Sequence, residues 1–219
     1  MGRPRTPSGR ARWVDQRLEE LYPGTAAQLC ALDYSSPYEL LAATILSAQC
    51  TDVRVNQVTP ALFLTYRSPR ELAAARAAEV EQIVRSTGFY RAKAANLIGM
   101  GRTISDRFDG VVPRRLDELV TIPGVGRKTG NVLRSVAFGL PGLPVDTHVG
   151  RLARRLGLTT SIDPVKIEHE LNAMIPAGRR GAFSLRMILH GRATCVARRP
   201  RCSDCEFAEI CPKVGAIPA

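Results

Sequence analysis

The chain has 219 residues, 45% of them apolar and 23% charged, which excludes a globally disordered polymer and allows one large domain or two small ones. Thirty-one Lys and Arg stand against twenty Asp and Glu, a net charge of +11, so phosphate backbones are the partners that the charge favours. No apolar stretch approaches the ~18–20 residues of a membrane span, and no apolar core follows the basic N-terminus, so neither membrane insertion nor export is expected. An arginine codon habit explains part of the bias, since only Lys93, Lys128, Lys166 and Lys213 are lysine, but it does not remove the matching acids.

Residues 1–12 carry four arginines with Pro and Gly and read as a flexible basic arm. Ser36-Pro37-Tyr38-Glu39 is a capping box with proline at the first helical position, and Leu40, Leu41, Thr44 and Ile45 follow at helical spacing. In Leu46-Ser-Ala-Gln49-Cys-Thr-Asp52, Asp52 is expected to cap the next helix. Ser68-Pro69-Arg70-Glu71 repeats the capping device ahead of Leu72, Val80, Ile83 and Val84, and Gly88 is expected to stop that helix. Asp163-Pro164 starts another helix in the same way. No alternating β-branched run is long enough for a sheet, and no fixed repeat is present. The expected fold class is all-α, with many short helices. Gly139 to Pro144 is the clearest joint.

Ile122-Pro-Gly124-Val-Gly126-Arg127-Lys128-Thr129-Gly-Asn131 predicts a tight hairpin, with a helix after it that carries Val132, Leu133, Val136 and Ala137. A nucleotide-binding P-loop needs glycine directly before the lysine, and Arg127 occupies that place. A dinucleotide fingerprint lacks its third glycine and its leading strand. The hairpin therefore reads as a helix–hairpin–helix clamp on a DNA backbone. In a chain that uses arginine almost everywhere, Lys128 is an amine that can lose its proton and form a Schiff base, which a guanidinium cannot. Downstream, in Val145-Asp146-Thr147-His148, Asp146 suits an N-cap, and His148 reads as structural.

Six cysteines without an export signal point to metal or cofactor ligation rather than to disulfides. Cys195, Cys202, Cys205 and Cys211 fall in a C-x6-C-x2-C-x5-C spacing. Structural zinc sites pair two short knuckles, whereas here there is only one, so the spacing favours iron–sulfur over zinc, with unligated cysteines as the remaining reading. The first ligand loop carries Arg198, Arg199 and Arg201, and no acid occurs from Leu171 to Ser203, so a rigid basic loop facing phosphates competes with an ordinary solvated face. Cys30 and Cys50 show no partner motif and read as small buried residues.

The segment from His190 to Cys205, closed by Cys211-Pro212, resembles the iron–sulfur motif of the endonuclease III family. The hairpin resembles that family's helix–hairpin–helix nearly letter for letter, with Gly130 where alanine is usual. The resemblance runs from about Val14 to Cys211. It implies a [4Fe–4S] cluster held by the four cysteines and two helical domains with DNA in the cleft between them. A six-helix domain would span 31–140, and an iron–sulfur domain would be built from 13–30 plus 141–219. It implies Lys128 as nucleophile and Asp146 as the carboxylate that stabilises charge at the sugar C1′. Gln49 would enter the gap left by an extruded base, and Phe89, where leucine is usual, would wedge into the duplex. Gly124, Gly126, Arg127 and Thr129 would grip the DNA backbone, alongside Arg198, Arg199 and Arg201. The implied partner is double-stranded DNA with damaged bases or abasic sites, met by a monomer in a bacterial cytoplasm. The implied activity is removal of oxidised pyrimidines of the thymine glycol type, with β-elimination 3′ to the abasic site. Attack needs a neutral amine, so burial and neighbouring cations are expected around Lys128. An adenine-type mismatch glycosylase is the first alternative; it needs a catalytic acid before Gln49, and none lies between Glu39 and Asp52. A non-catalytic DNA-binding module with an iron–sulfur cluster is the second.

Overall fold

Four helix starts, at Thr6, Ser36, Ser68 and Asp163, are set by a hydroxyl or carboxylate placed ahead of proline. A side-chain oxygen takes an early N–H, and the proline has none to leave unsatisfied. The computed structural model describes residues 4–217, and every regular element among them is a helix. In chain order these are α1 (Pro7–Leu21), α2 (Ala26–Leu29), α3 (Pro37–Leu46), α4 (Asp52–Thr65), α5 (Pro69–Ala73), α6 (Ala77–Val84), α7 (Tyr90–Arg107), α8 (Leu116–Leu119), α9 (Arg127–Val136), α10 (Thr147–Arg155), α11 (Pro164–Met174) and α12 (Arg180–Ala193). None of them is long and apolar enough to cross a membrane.

Both expected capping boxes form, with one difference. Ser36 Oγ accepts from Glu39 N at 3.2 Å and Ser68 Oγ from Glu71 N at 3.2 Å. The glutamates reach one residue further back than a standard box, to Ser35 N and Arg67 N. Asp163 accepts from Val165 N and Lys166 N. Asp52 does not cap α4: Thr51 does, through its bond from Arg54 N, and Asp52 is the first helical residue. The single helix expected after Ser68 is two, because the chain turns between Ala73 and Ala77, and a 3-10 turn, Arg85–Thr87, precedes Gly88.

The basic arm expected over residues 1–12 is also corrected. Residues 1–3 lie outside the described part, but from Thr6 on the segment is the start of α1. Thr6 Oγ1 accepts from Gly9 N, Pro7 is the first helical residue, and Ala11 is fully buried. Arg10 donates to the carbonyls of Leu156 at 2.8 Å and Gly157 at 2.6 Å, so it acts inside the fold.

The chain forms two compact units. One joins the chain up to Leu29 with the chain from Gly139 on; the other is Cys30–Phe138. In the first, α1, α10, α11 and α12 close around Val14, Leu18, Leu152, Leu171, Phe183 and Met187. Arg186, 3% exposed, lies between α12 and the end of α1, donating to the carbonyls of Tyr22 and Gly24 at 3.0 Å each. Buried Asp15 accepts from Arg179 at 2.5 Å. The second unit holds seven helical segments where the resemblance implied six, two of them short. Here α7 packs closely on α5. A Cβ on Gly101 would stand 2.6 Å from the carbonyl oxygen of Pro69 and 2.8 Å from Ala73 N, so the two backbones meet where no side chain fits.

Two outcomes follow from these contacts. Gly→Ala within a helix ordinarily stabilises by about 1 kcal/mol, but Gly101→Ala is expected to destabilise by about 1–3 kcal/mol through overpacking. Arg186→Leu is expected to cost about 1–3 kcal/mol for each carbonyl left without its donor. Urea unfolding of the purified variants checks both.

Candidate functional site

The hairpin between α8 and α9 is tied by apolar residues and one backbone bond. Ile122 and Val125 are buried, and Val125 N donates to Ile122 O at 3.0 Å. Gly124 has φ +78°, and a Cβ there would lie 2.9 Å from Asn96 Cβ, so glycine is required by the chain's own packing. Gly126 is different. Its φ is −87°, and nothing lies within 4 Å of where its Cβ would be. The fold does not need that glycine, and its smallness leaves the backbone open to approach from outside. Gly126 is also the N-cap of α9 and supplies no side-chain acceptor, so the first N–H groups of α9 lack a side-chain cap.

Lys128 stands exposed in that first turn, between half-buried Arg127 and Thr129. The burial expected around it is absent in this unit. Gly130 faces α8, where a Cβ would come within 2.6 Å of Leu116 Cδ1, the mobile end of a side chain that can turn aside.

Two further candidates in the same unit share a backbone feature. Gln49 has φ +53° and Phe89 φ +48°, and both are exposed, Phe89 at 68%. A left-handed conformation costs an ordinary residue about 1–2 kcal/mol, and leaving a phenyl ring in water forgoes roughly 1.5–3 kcal/mol of burial. Folding alone would not choose either. Strain of this kind concentrates where a side chain must be presented outward. Behind the second turn lies Lys93, 4% exposed, whose Nζ donates to Thr87 O at 2.7 Å. In the sequence the one signal of Lys93 is that it is among four lysines in an arginine-rich chain.

Asp146 lies in the other unit as the N-cap of α10, its Oδ1 accepting from Val149 N at 2.8 Å. It is half-buried, and the bond to α10 uses Oδ1 alone. His148 follows in the first turn, its imidazole pushed down mainly by burial. Its Nδ1 lies 3.1 Å from Arg151 Nη2, and Arg151 donates on to the carbonyls of Gly191 and Cys195. The structural reading of His148 fits this packing.

Cys195, Cys202, Cys205 and Cys211 all line one pocket beside Phe207 and His190. A tetrahedral zinc with Zn–S near 2.3 Å would draw its sulfurs to roughly 3.8 Å of one another. Among the described residues, no three His, Cys, Asp or Glu side chains converge as a single bound ion requires. The four thiols share the lining of that one pocket. Burial pushes the Cys205 thiol up to about 11 and raises that of Cys211, so these sulfurs would ionise by exchanging a proton for a metal. His190, 2% exposed, is pushed down to about 4 by burial, with Nε2 3.5 Å from Cys205 Sγ and Nδ1 without a partner.

Arg155 organises this pocket and was not singled out from sequence. It is 7% exposed and reaches from α10 into the ligand loop. Its guanidinium donates to Val196 O at 2.7 Å, Ala197 O at 2.8 Å and Cys195 Sγ at 3.3 Å. Its own carbonyl accepts from Val214 N and from Cys211 Sγ at 3.2 Å. The first and last cysteines are thus held by one residue. Arg198, Arg199 and Arg201 lie exposed on the loop so fixed, with Arg199 at φ +52° and Arg201 N closing the loop onto Thr194 O. Cys30 and Cys50 are half-buried rather than buried, and neither joins the pocket.

Comparison with known proteins places these features in context. The profile of the HhH-GPD superfamily, described as base excision DNA repair protein, matches residues 42–177. The endonuclease III of Synechocystis sp. is 52% identical over 200 residues, covering 91% of this chain and 90% of that protein. A structure described as a non-covalent endonuclease III–DNA complex superposes with a TM-score of 0.87 at 40% identity, covering 94% of this chain and 95% of that one. A second, described as a trapped endonuclease III–DNA covalent intermediate, gives 0.87 at 41% identity over 94% and 96%.

Arg155→Leu is expected to destabilise the cysteine-bearing unit by about 2–3 kcal/mol and to lower bound metal per chain. Arg155→Lys, which lacks the fork that spans two carbonyls, should rescue little. Elemental analysis and thermal melting of the purified proteins read both effects.

Proposed function

The chain belongs to the HhH-GPD superfamily of base excision DNA repair proteins, within the endonuclease III family, and on that premise we propose that Lys128 and Asp146 carry out its DNA glycosylase and abasic-site lyase chemistry. One observation carries the assignment to Lys128. It is an exposed amine in the first turn of a helix whose backbone N–H groups lack a side-chain cap, directly after a glycine that the fold itself does not need. Such a helix start takes a DNA phosphate through backbone donors without sequence preference. Gly124, Gly126, Arg127 and Thr129 surround that contact, and the exposed Arg198, Arg199 and Arg201 supply further phosphate partners.

The substrate is duplex DNA with an oxidised pyrimidine of the thymine glycol type or an abasic site, bound by a monomer. The target nucleotide must leave the stack, because its C1′ is otherwise out of reach. Phe89 enters the duplex from its exposed, left-handed position, and Gln49 donates and accepts toward the orphaned base. Lys128 Nζ gives up a proton and attacks C1′ with the lone pair so freed, the C1′–N bond breaks, and the base leaves with a proton. Asp146 uses the oxygen not committed to Val149 to stabilise positive charge at C1′ and to accept the amine proton. The imine formed with the opened sugar acidifies the 2′ proton. Its loss expels the 3′ phosphate by β-elimination, and water releases the lysine.

The four cysteines fit a [4Fe–4S] cluster, which would cross-link the segment from Cys195 to Cys211 and hold its arginine-bearing loop rigid. Arg155 positions that loop through Val196 and Ala197.

Borohydride trapping tests the reading. Mixed with a thymine glycol duplex and reductant, the protein should give a covalent protein–DNA band. Lys128→Gln should abolish it while DNA affinity stays within about threefold, since one exposed charge contributes little to binding. A band of unchanged intensity from Lys128→Gln would overturn the assignment.

A further inference from the structure

We propose that Lys93 is a positioning residue for Phe89: its buried ammonium, bonded to the carbonyl of Thr87, holds the Gly88-Phe89 turn in the form that keeps the phenyl ring outside the fold. The inference rests on the reading of Phe89 as the residue that enters the duplex.

The turn is unusual at two successive residues. Gly88 has φ +71° and ψ 157°, a region open essentially to glycine alone, although nothing would crowd a Cβ there. Phe89 follows at φ +48° and ψ 30° and begins α7 without a side-chain cap. Left to its own preferences the chain would relax this pair and fold the ring onto apolar neighbours. Three bonds oppose that. Thr87, itself buried, donates its hydroxyl to Val84 O at 2.8 Å; Lys93 N donates to Phe89 O at 3.1 Å; and Lys93 Nζ donates to Thr87 O at 2.7 Å. The side chain and backbone of one residue thus hold the carbonyls on both sides of Gly88.

Stability alone does not account for a lysine here. An ammonium at 4% exposure, its pKa lowered by burial, has one carbonyl acceptor for three N–H donors. An apolar chain of similar length would fill the space without desolvating a charge. What methionine cannot do is bond the Thr87 carbonyl. In a chain that otherwise favours arginine, a compact ammonium on a flexible stem also suits a single acceptor better than a fork does.

The experiment compares Lys93→Met, Lys93→Gln, Phe89→Ala and the double variant Lys93→Met/Phe89→Ala. Each is assayed under single turnover for strand cleavage at an abasic site, once within a duplex and once in a single strand, where there is no stack to open. Thermal melting accompanies each variant. The expected result is a fall of about tenfold or more in the duplex-to-single-strand rate ratio for Lys93→Met, the scale of a misplaced group. Lys93→Gln, which keeps a donor, should fall less; it carries the comparison if the methionine variant does not fold. The double variant should be no worse than Phe89→Ala alone, because both changes remove the same action. Losses that multiply in the double variant, or that are equal on duplex and single strand, would overturn the proposal while leaving Phe89→Ala impaired. If Phe89→Ala itself keeps the full duplex-to-single-strand ratio, the reading of Phe89 as the inserted residue fails, and the role of Lys93 fails with it.

Discussion

Carbonyl groups at the ends of short helices are the constraint on which this structure depends. Each helix leaves its last carbonyls without intrahelical partners, and a chain of many short helices accumulates them. Buried and half-buried arginines and one buried lysine answer a large share. Arg10 serves Leu156 and Gly157, Arg186 serves Tyr22 and Gly24, Arg180 serves Asn172 and Ile175, and Arg151 serves Gly191 and Cys195. Arg155 and Lys93 do the same at the cysteine loop and at the Phe89 turn. Part of the positive charge that marks the sequence therefore acts inside the protein. A guanidinium suits this work because its fork can bond two carbonyls that a helix end leaves side by side.

The functional candidates are the places where this internal satisfaction is withheld or strained. The start of α9 has no side-chain acceptor, whereas α10 and α11 each have a carboxylate. Gln49, Phe89 and Arg199 adopt left-handed backbone that each residue alone would avoid, and all three are exposed. The remaining positive-φ residues without a glycine are Asp109 and Lys213, and aspartate tolerates that region better than most. Helices α6, α7, α8 and α12 also begin without a side-chain cap, so the start of α9 is set apart by the glycine at its N-cap and the exposed amine beside it.

The cysteine pocket joins the two themes. Its sulfurs are too buried to ionise readily by themselves, and its loop is closed by Arg155, Arg151 and the contact of Arg201 with Thr194. The exposed Arg198 and Arg199 then stand on a short loop fixed at both ends.

Local chemistry made much of this legible in the sequence. Ser36, Ser68 and Asp163 sit beside their prolines, so the N–H groups they cap lie within three residues. The cysteine spacing and the glycine hairpin are equally local, and the all-helical class follows from periodicity. Even so, the Thr6-Pro7 cap went unread within a basic segment, and Asp52 was preferred to its neighbour Thr51, because a side chain competes with its neighbour for the same N–H and sequence does not rank them. Tertiary structure alone decided what depends on distant partners. Gly101 is glycine because of Pro69 and Ala73, and Arg155 is buried because the loop forty residues on needs donors. Lys93 carries a desolvated charge because Thr87 O would otherwise be unmet. Sequence determines which groups each helix end presents, since that is a matter of neighbours. Which remote side chain comes to meet them is a matter of packing in three dimensions, and no local pattern records it.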